Sequence, residues 1–162
     1  MTPLWWAATA LMAPAAPAEA PSLVPTLAAW HGSWAGEGQA FGKLATATLD
    51  IEPGEAGATR LAYHLRVAGS PPMSYSAEAS YAFDAKQRVR GKWTDSSGRT
   101  RAVAGGANAA KWWTHWGSAD VEIGRSTYSL QADGTLVVND SVLQDDGSWR
   151  VFAMLHYRRK NP

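Results

Sequence analysis

Residues 74–94 read SYSAEASYAFDAKQRVRGKWT and predict a β-hairpin. In the first run, over residues 74–83, small and aromatic side chains alternate with mostly polar ones. In the second run, over residues 88–94, basic side chains alternate with less polar ones. Because successive residues of a strand point to opposite faces of the sheet, each run offers one face to a core and one to water. The core-facing residues of the second run are expected to be Val89, Gly91 and Trp93.

Similar runs separated by turn signals continue on both sides of this hairpin. They lie at residues 33–41, 44–52, 59–67, 101–104, 108–116, 121–131, 135–143 and 148–159. The strongest turn signals are Pro53-Gly54, Asp133-Gly134 and Asp145-Asp146-Gly147, and Gly105-Gly106 is also interpreted as a turn. Sequential hairpins at short spacing predict an all-β fold, an antiparallel up-and-down β-barrel of about ten strands. Closure is expected because an open sheet of ten strands would leave exposed edges.

A short helical turn is predicted just before the first strand. It covers residues 25–30, with Pro25 at its start and Gly32 past its end, the order in which these two residues usually flank a helix.

Composition excludes several classes of function. The chain of 162 residues has a formal net charge of +1 and 18% charged residues, which gives no electrostatic case for nucleic acid or for an anionic membrane surface. It contains no cysteine, so disulfides, thiolate catalysis and cysteine-ligated metals are excluded. Nine tryptophans are many for this length; they either fill a core or line a pocket for a flat, apolar ligand.

The N-terminal segment has the composition of a targeting signal. Residues 4–16 form an uncharged apolar run, and the small residues Ala16, Ala18 and Ala20 follow. This pattern predicts a signal peptide over residues 1–20 and an exported protein, periplasmic or secreted. The alternative is a disordered leader rich in alanine and proline. No later segment approaches the length of about 18 apolar residues that a membrane span needs, so no membrane span is expected.

Residues 30–38, WHGSWAGEG, place a Gly-x-Trp motif at the opening of the first strand. This arrangement resembles the calycin superfamily, which includes the lipocalins. Short stretches at residues 91–96, 122–128 and 146–149 are similar to an uncharacterised bacterial lipocalin-like group. The resemblance implies one lipocalin-like β-barrel domain over residues 21–162. It also implies that Trp34 closes the barrel bottom and is covered by a basic residue of the last strand, Arg158 or Arg159, through a cation–π contact.

A lipocalin-like barrel directs attention to side chains that face the interior. The predicted ligand-binding residues are Tyr63, Trp93, Trp112, Trp116 and Arg125. The three tryptophans are expected to form an aromatic wall. An inward Arg125 could hold a ligand carboxylate in bidentate geometry; the alternatives are a structural ion pair or a solvated side chain.

Weaker similarity to nitrobindin-type barrels raises haem as a possible cofactor, with His156 on the last strand as the implied ligand. Residue alternation in that strand argues against it, because the more apolar set is expected to face inward and His156 outward. The expected inward set is Trp149, Val151, Ala153, Leu155 and Tyr157. The four histidines are far apart in sequence, so no metal-binding spacing exists and no other cofactor is expected.

Three functions stay open at this point. The first is a barrel that binds a small apolar molecule. The second is a barrel enzyme, although no nucleophile elbow or phosphate-binding loop is present; the residues to test would be Tyr63, Tyr75, Tyr81 and Glu122. The third is a structural barrel with a filled core. The sequence leaves the ligand and the oligomeric state undetermined.

Overall fold

A computed structural model describes residues 27–160 and consists almost entirely of β-strands. The strands are β1 (Gly32–Ala40), β2 (Lys43–Pro53), β3 (Thr59–Val67), β4 (Met73–Phe83), β5 (Arg88–Asp95), β6 (Thr100–Asn108), β7 (Lys111–Ser118), β8 (Glu122–Leu130), β9 (Leu136–Leu143) and β10 (Trp149–Arg159). A single 3-10 turn, Glu55–Gly57, lies between β2 and β3. Each predicted run corresponds to one of these strands.

The sheet closes on itself, which confirms the predicted antiparallel barrel. Each strand pairs with the next one in the chain, and β1 also pairs with β10, so that no edge is left open. Because the strands run alternately up and down, their connections fall into two groups. One end of the barrel therefore carries the first residues of the odd-numbered strands, and the other end carries their last residues.

The chain enters the barrel through a single helical turn. Residues 27–30 form this turn, in which the N–H of Trp30 donates to the carbonyl of Leu27 at 2.9 Å. It is the described part of the predicted turn at residues 25–30. The predicted signal peptide, residues 1–20, lies outside the described residues. Within residues 27–160, no helix has the length and hydrophobicity needed to cross a membrane.

The end of the barrel beside this turn is plugged by aromatic side chains. The ring of Trp112 stacks on Trp30 at 5.6 Å and on Phe83 at 5.0 Å between ring centroids. The buried indole of Trp34 donates to the carbonyl of Trp30 at 3.0 Å. These contacts close this end of the barrel, so an interior site can open only at the other end.

The basic residue that covers Trp34 is Arg159. Its guanidinium lies 4.5 Å from the centroid of the Trp34 ring and donates hydrogen bonds to the carbonyls of Ala29 and His31. The assignment of Arg158 to this role is therefore corrected. Since Tyr157 points inward, the next residue points outward, and Arg158 lies exposed on the outer surface.

Gly105 and Gly106 lie within β6, which corrects the interpretation of this pair as a turn. The chain reverses at Ala109-Ala110 instead. Gly106 pairs with Trp113 of β7, and a Cβ at Gly106 would lie 2.6 Å from the Trp113 ring. The glycines are in a strand because the neighbouring chain approaches closely, not because the backbone turns.

A bulge in β10 changes which of its residues face inward. The register with β9 shifts between Val151 and Ala153. The expected inward positions Ala153, Leu155 and Tyr157 are buried, whereas Val151 is exposed. Trp149 lies outside as well, under the guanidinium of Arg125 at 4.3 Å. The interpretation was wrong for Trp149 and Val151 because an extra residue in one strand reverses the alternation before it.

Candidate functional site

The barrel interior contains a cavity with a volume of about 370 Å³. It lies between the aromatic plug and the end of the barrel formed by the starts of the even-numbered strands. All five tyrosines of the chain line it, namely Tyr63, Tyr75, Tyr81, Tyr128 and Tyr157. Each occupies an inward position of its strand, so the alternation of the strands concentrates the phenol rings in one place.

Trp93 and two tyrosines form an aromatic wall on one side of the cavity. The Trp93 indole N–H donates to the Tyr75 hydroxyl at 2.8 Å. The Tyr63 ring lies 5.9 Å from Trp93 and 6.1 Å from Tyr75, both within the range of favourable aromatic pairs. A hydrogen bond and two ring contacts therefore hold this wall in place.

Trp116 forms a second aromatic surface nearer the open end. Its indole N–H donates to the hydroxyl of Ser126 at 3.2 Å, and its ring lies 6.4 Å from Phe152 in an edge-on arrangement. Trp116 also pairs with Gly124 of β8, where a Cβ would lie 2.0 Å from the indole ring. The glycine leaves the space that the indole occupies.

The same pairing of a glycine with an aromatic residue recurs beside the tyrosines. Gly36 of β1 pairs with Tyr157, and Gly91 of β5 pairs with Tyr81. A Cβ at these glycines would lie 2.5 Å and 2.8 Å from the respective rings. The barrel glycines thus leave the space that these rings occupy beside the neighbouring strand.

Asp140 is a carboxylate among these rings. It lies on β9 in line with the buried Val138 and Val142, between Ser126 of β8 and Ala153 of β10. Burial raises the pKa of Asp140 to about 6, and the nearby Ser126 hydroxyl acts in the opposite direction. Within residues 27–160, Asp140 forms no ion pair. Its charge is therefore not compensated by any described side chain.

The tyrosine hydroxyls stay neutral at ordinary pH. Burial is the largest cause that raises the pKa of Tyr63, Tyr81, Tyr128 and Tyr157. The charge of Asp140 contributes to the same shift in each. The buried Tyr157 hydroxyl lies near the Tyr63 hydroxyl, and each influences the pKa of the other. A neutral phenol can both donate and accept a hydrogen bond.

The open end of the cavity is rimmed by apolar and charged side chains. Phe41 stacks on Phe152 with ring centroids 5.2 Å apart, and both line the cavity, as does the exposed Met73. The charged side chains that line the cavity are Asp95, Arg101, Glu122 and Arg150. All four lie at the ends of their strands on this side, so these charges are at the mouth of the cavity.

An ion pair at the rim is held in place by a turn. Asp95 contacts Arg101 at 3.2 Å and accepts hydrogen bonds from the Ser97 hydroxyl and from the N–H groups of Ser97 and Arg99. The hydrogen bond from the Ser97 hydroxyl is the largest cause that lowers the pKa of Asp95. Asp95 and Arg101 therefore neutralise each other and leave Asp140 unpaired.

The structure brings together most, but not all, of the predicted site residues. Tyr63, Trp93 and Trp116 line the cavity, as do Tyr75, Tyr81 and Glu122, which the enzyme hypothesis had singled out. Trp112 lies below the cavity in the aromatic plug, packed edge-on against Tyr128 at 4.9 Å. Arg125 lies on the outer face above Trp149, which corrects its assignment to the interior site.

Sequence reasoning missed Asp140, Ser126, Tyr128 and Tyr157 as site residues. A usable signal existed for Asp140: it shares the parity of Leu136, Val138 and Val142. An acidic residue on an otherwise apolar strand face is costly to bury and therefore points to a site.

The residues do not fit a haem bound through His156. His156 is exposed on the outer face of β10, opposite Glu37 of β1. The cavity lining contains no histidine among the described residues. Groups of three or more histidine, cysteine or acidic side chains suited to a metal ion are also absent from this part of the chain.

A closed antiparallel barrel of ten strands is compatible with the calycin or lipocalin-like fold. Comparison with protein-family models and with curated proteins finds no match to this chain. The superfamily is therefore a resemblance that depends on the Gly32-x-Trp34 motif and on the strand order.

Proposed function

We propose that this protein is a lipocalin-like barrel that binds a small, largely apolar molecule with a flat portion inside its cavity. The observation that carries the proposal is the cavity of about 370 Å³ lined by five tyrosines and two tryptophans. Ligand pockets usually measure about 300–1,000 Å³ and combine an apolar lining with a few directed polar groups. The phenol hydroxyls and Asp140 supply those polar groups.

The alternative of a filled structural barrel is less well supported. A filled barrel needs large side chains that meet at the centre. In this chain the inward glycines Gly36, Gly91 and Gly124 let rings lie against the wall instead. Natural interiors contain few voids larger than a water molecule, so an interior space of this size favours binding over packing.

The open end offers a route for the ligand. Phe41 and Met73 are exposed at the mouth although both side chains are apolar. The charged rim keeps this end hydrated around them. We also propose export to the periplasm or to the exterior, on the basis of the leader sequence; a carrier of small molecules fits such a compartment.

The test uses a filled cavity and a matched control. Prodan, a neutral fluorescent naphthalene, is titrated into the wild type and its emission is followed. The variant Ala153→Phe places a ring in the cavity beside Asp140 and should abolish binding. Ala82→Phe introduces the same ring on the outer face of β4 and should bind as the wild type does. Equal binding by both variants would place the probe outside the cavity and overturn the proposal.

A further inference from the structure

The charge inside the cavity is unusual for a site that binds only apolar molecules. Asp140 is the one acidic side chain that lines the described cavity away from its mouth. It has no cationic partner among residues 27–160, since the two ion pairs there are Arg88–Asp84 and Arg101–Asp95. An isolated carboxylate in an apolar interior is costly and is retained in proteins mainly where something pairs with it.

The other polar groups of the cavity cannot compensate this charge. The Ser126 hydroxyl accepts from Trp116 and can still donate to Asp140, but a hydroxyl carries no positive charge. Neutral phenols can donate hydrogen bonds to a carboxylate, but they carry no positive charge. The arginines that line the cavity, Arg101 and Arg150, belong to the mouth. Within residues 27–160, no side chain therefore supplies a positive charge to Asp140.

The aromatic lining favours a ligand that carries an aromatic ring. Aromatic rings stack favourably on aromatic side chains in offset or edge-on arrangements. In the closed order of ten strands, β9 with Asp140 lies five strands from β4 in either direction. The wall of Tyr63, Tyr75 and Trp93 on β3, β4 and β5 is therefore across the barrel from the carboxylate. A ligand that spans the cavity meets rings at one end and a negative charge at the other.

We propose that the ligand is a small aromatic amine whose protonated nitrogen pairs with Asp140 while its ring stacks on the wall of Tyr63, Tyr75 and Trp93. This inference depends on the proposed function, because it names the chemical class that the same cavity takes.

The charges that face this site give the binding a defined pH dependence. Ser126 on β8 and Ala153 on β10 flank Asp140 and carry no charge. Glu122 on β8 and Arg150 on β10 line the cavity at its mouth, as do Asp95 and Arg101 across the barrel. Amine affinity is therefore expected to follow the ionisation of Asp140 and to fall as the pH drops below about 6.

Calorimetry with two isosteric probes tests this inference. Tryptamine carries an ammonium group where tryptophol carries a hydroxyl, and the indole is the same. In the wild type at pH 7, tryptamine should bind at least about tenfold more tightly than tryptophol. In Asp140→Asn this preference should vanish while tryptophol binding stays. Asp145→Asn, which removes an exposed carboxyl in the β9–β10 connection, should keep it.

The outcomes separate this inference from the proposed function. Equal affinities of the wild type for the two probes would overturn the amine assignment and leave the binding function standing, provided that Prodan binds. Failure of Prodan and of both indoles to bind would overturn both. If Asp140→Asn does not fold, as judged by near-ultraviolet circular dichroism, the pH dependence of binding to the wild type is the test. Its tryptamine affinity must then fall between pH 7 and pH 5 while its tryptophol affinity stays constant.

Discussion

The guanidinium of Arg159 lies 4.5 Å from the ring centroid of Trp34 and donates to the carbonyls of Ala29 and His31. One side chain thus ties the last strand to the first strand and to the turn that precedes it. These contacts are at the plugged end of the barrel, where they also fix the aromatic residues that form the floor of the cavity.

Replacing Arg159 should weaken this closure. Arg159→Ala is expected to lower the free energy of unfolding by about 1 kcal/mol, because the Arg159 side chain is exposed and a cation–π pair at such a site is worth roughly 0.5–1 kcal/mol. Arg158→Ala removes the same charge one position away, on the outer surface, and should change stability by less than about 0.5 kcal/mol. Urea denaturation of both variants measures the difference. Equal effects would show that the Trp34 contact contributes nothing specific.

Asp140 gives the folded state a pH dependence that can be isolated. Burial raises its pKa to about 6 from the ordinary 3.8, so the folded protein holds a proton that the unfolded chain has already released. Stability is therefore expected to fall as the pH rises from about 4 to about 6 and to stay level above that. Asp140→Asn, which is neutral at every pH, should match the wild type near pH 4. It should be more stable at pH 7 by on the order of 2 kcal/mol.

Chemical denaturation at pH 4, 5, 6 and 7 checks this dependence. Asp84, Asp133 and Asp146 have pKa values lowered chiefly by local hydrogen bonds, so their contribution to stability is lost only as the pH falls below the ordinary value of 3.8. Asp145→Asn, which removes an exposed carboxyl outside the cavity lining, serves as the control. A stability difference between Asp140→Asn and the wild type that does not change with pH would contradict the burial of the charge.

The sequence predicts the strands well because alternation and turn residues are local signals. Gly134 and Gly147 both adopt positive φ in the hairpin turns assigned to them. The prediction fails where the cause is not local. Nothing in residues 105–106 reveals that Trp113 of the next strand will approach, and nothing in β10 reveals the bulge that turns Trp149 outward. Both depend on the partner strand.

The site is predictable in composition but not in arrangement. Three of the five predicted ligand-binding residues line the cavity, because inward parity and aromatic character could be read from each strand alone. Trp112 faces inward as predicted, but it lies near the start of β7, at the plugged end of the barrel and below the cavity. Depth along the barrel axis depends on the register of all ten strands, which alternation does not supply.

The glycines opposite aromatic rings provide a test of how the cavity is shaped. Gly124→Ala would force the Trp116 indole away from β8, because a Cβ there would lie 2.0 Å from the ring. Gly106→Ala crowds Trp113 in the same way, at 2.6 Å, on the outer face. Both substitutions should lower the free energy of unfolding by about 1–3 kcal/mol, as overpacking does.

Only the first of the two should affect binding. Trp116 lines the cavity and donates to Ser126, whereas Trp113 has no part in the lining. Gly124→Ala is therefore expected to weaken Prodan binding by about tenfold and Gly106→Ala to leave it unchanged, as measured by fluorescence titration at a temperature where both variants are folded. Equal losses would mean that binding follows overall stability and not the position of Trp116.

Phe41 occupies a backbone conformation that aromatic residues rarely adopt. Its φ is +54° and that of Gly42 is +72°, which fits a two-residue turn of type I′ between β1 and β2. The left-handed region costs a residue other than glycine roughly 1–2 kcal/mol. The ring stacks on Phe152 at the mouth of the cavity, and such a pair is worth about 0.5–1.5 kcal/mol. The two effects nearly cancel, so stability alone does not explain a phenylalanine at this position.

Phe41→Asn should therefore change the free energy of unfolding little and the rate of ligand dissociation more. Asparagine suits the turn, so the lost stacking is offset by relieved strain, and the free energy of unfolding should stay within about 1 kcal/mol of the wild type. Because the ring no longer covers the mouth, Prodan should dissociate at least about threefold faster in stopped-flow fluorescence. Leu44→Asn removes an exposed apolar side chain near the start of β2, outside the cavity lining, and should leave the rate unchanged. An unaltered dissociation rate in Phe41→Asn would show that the ring does not control access to the cavity.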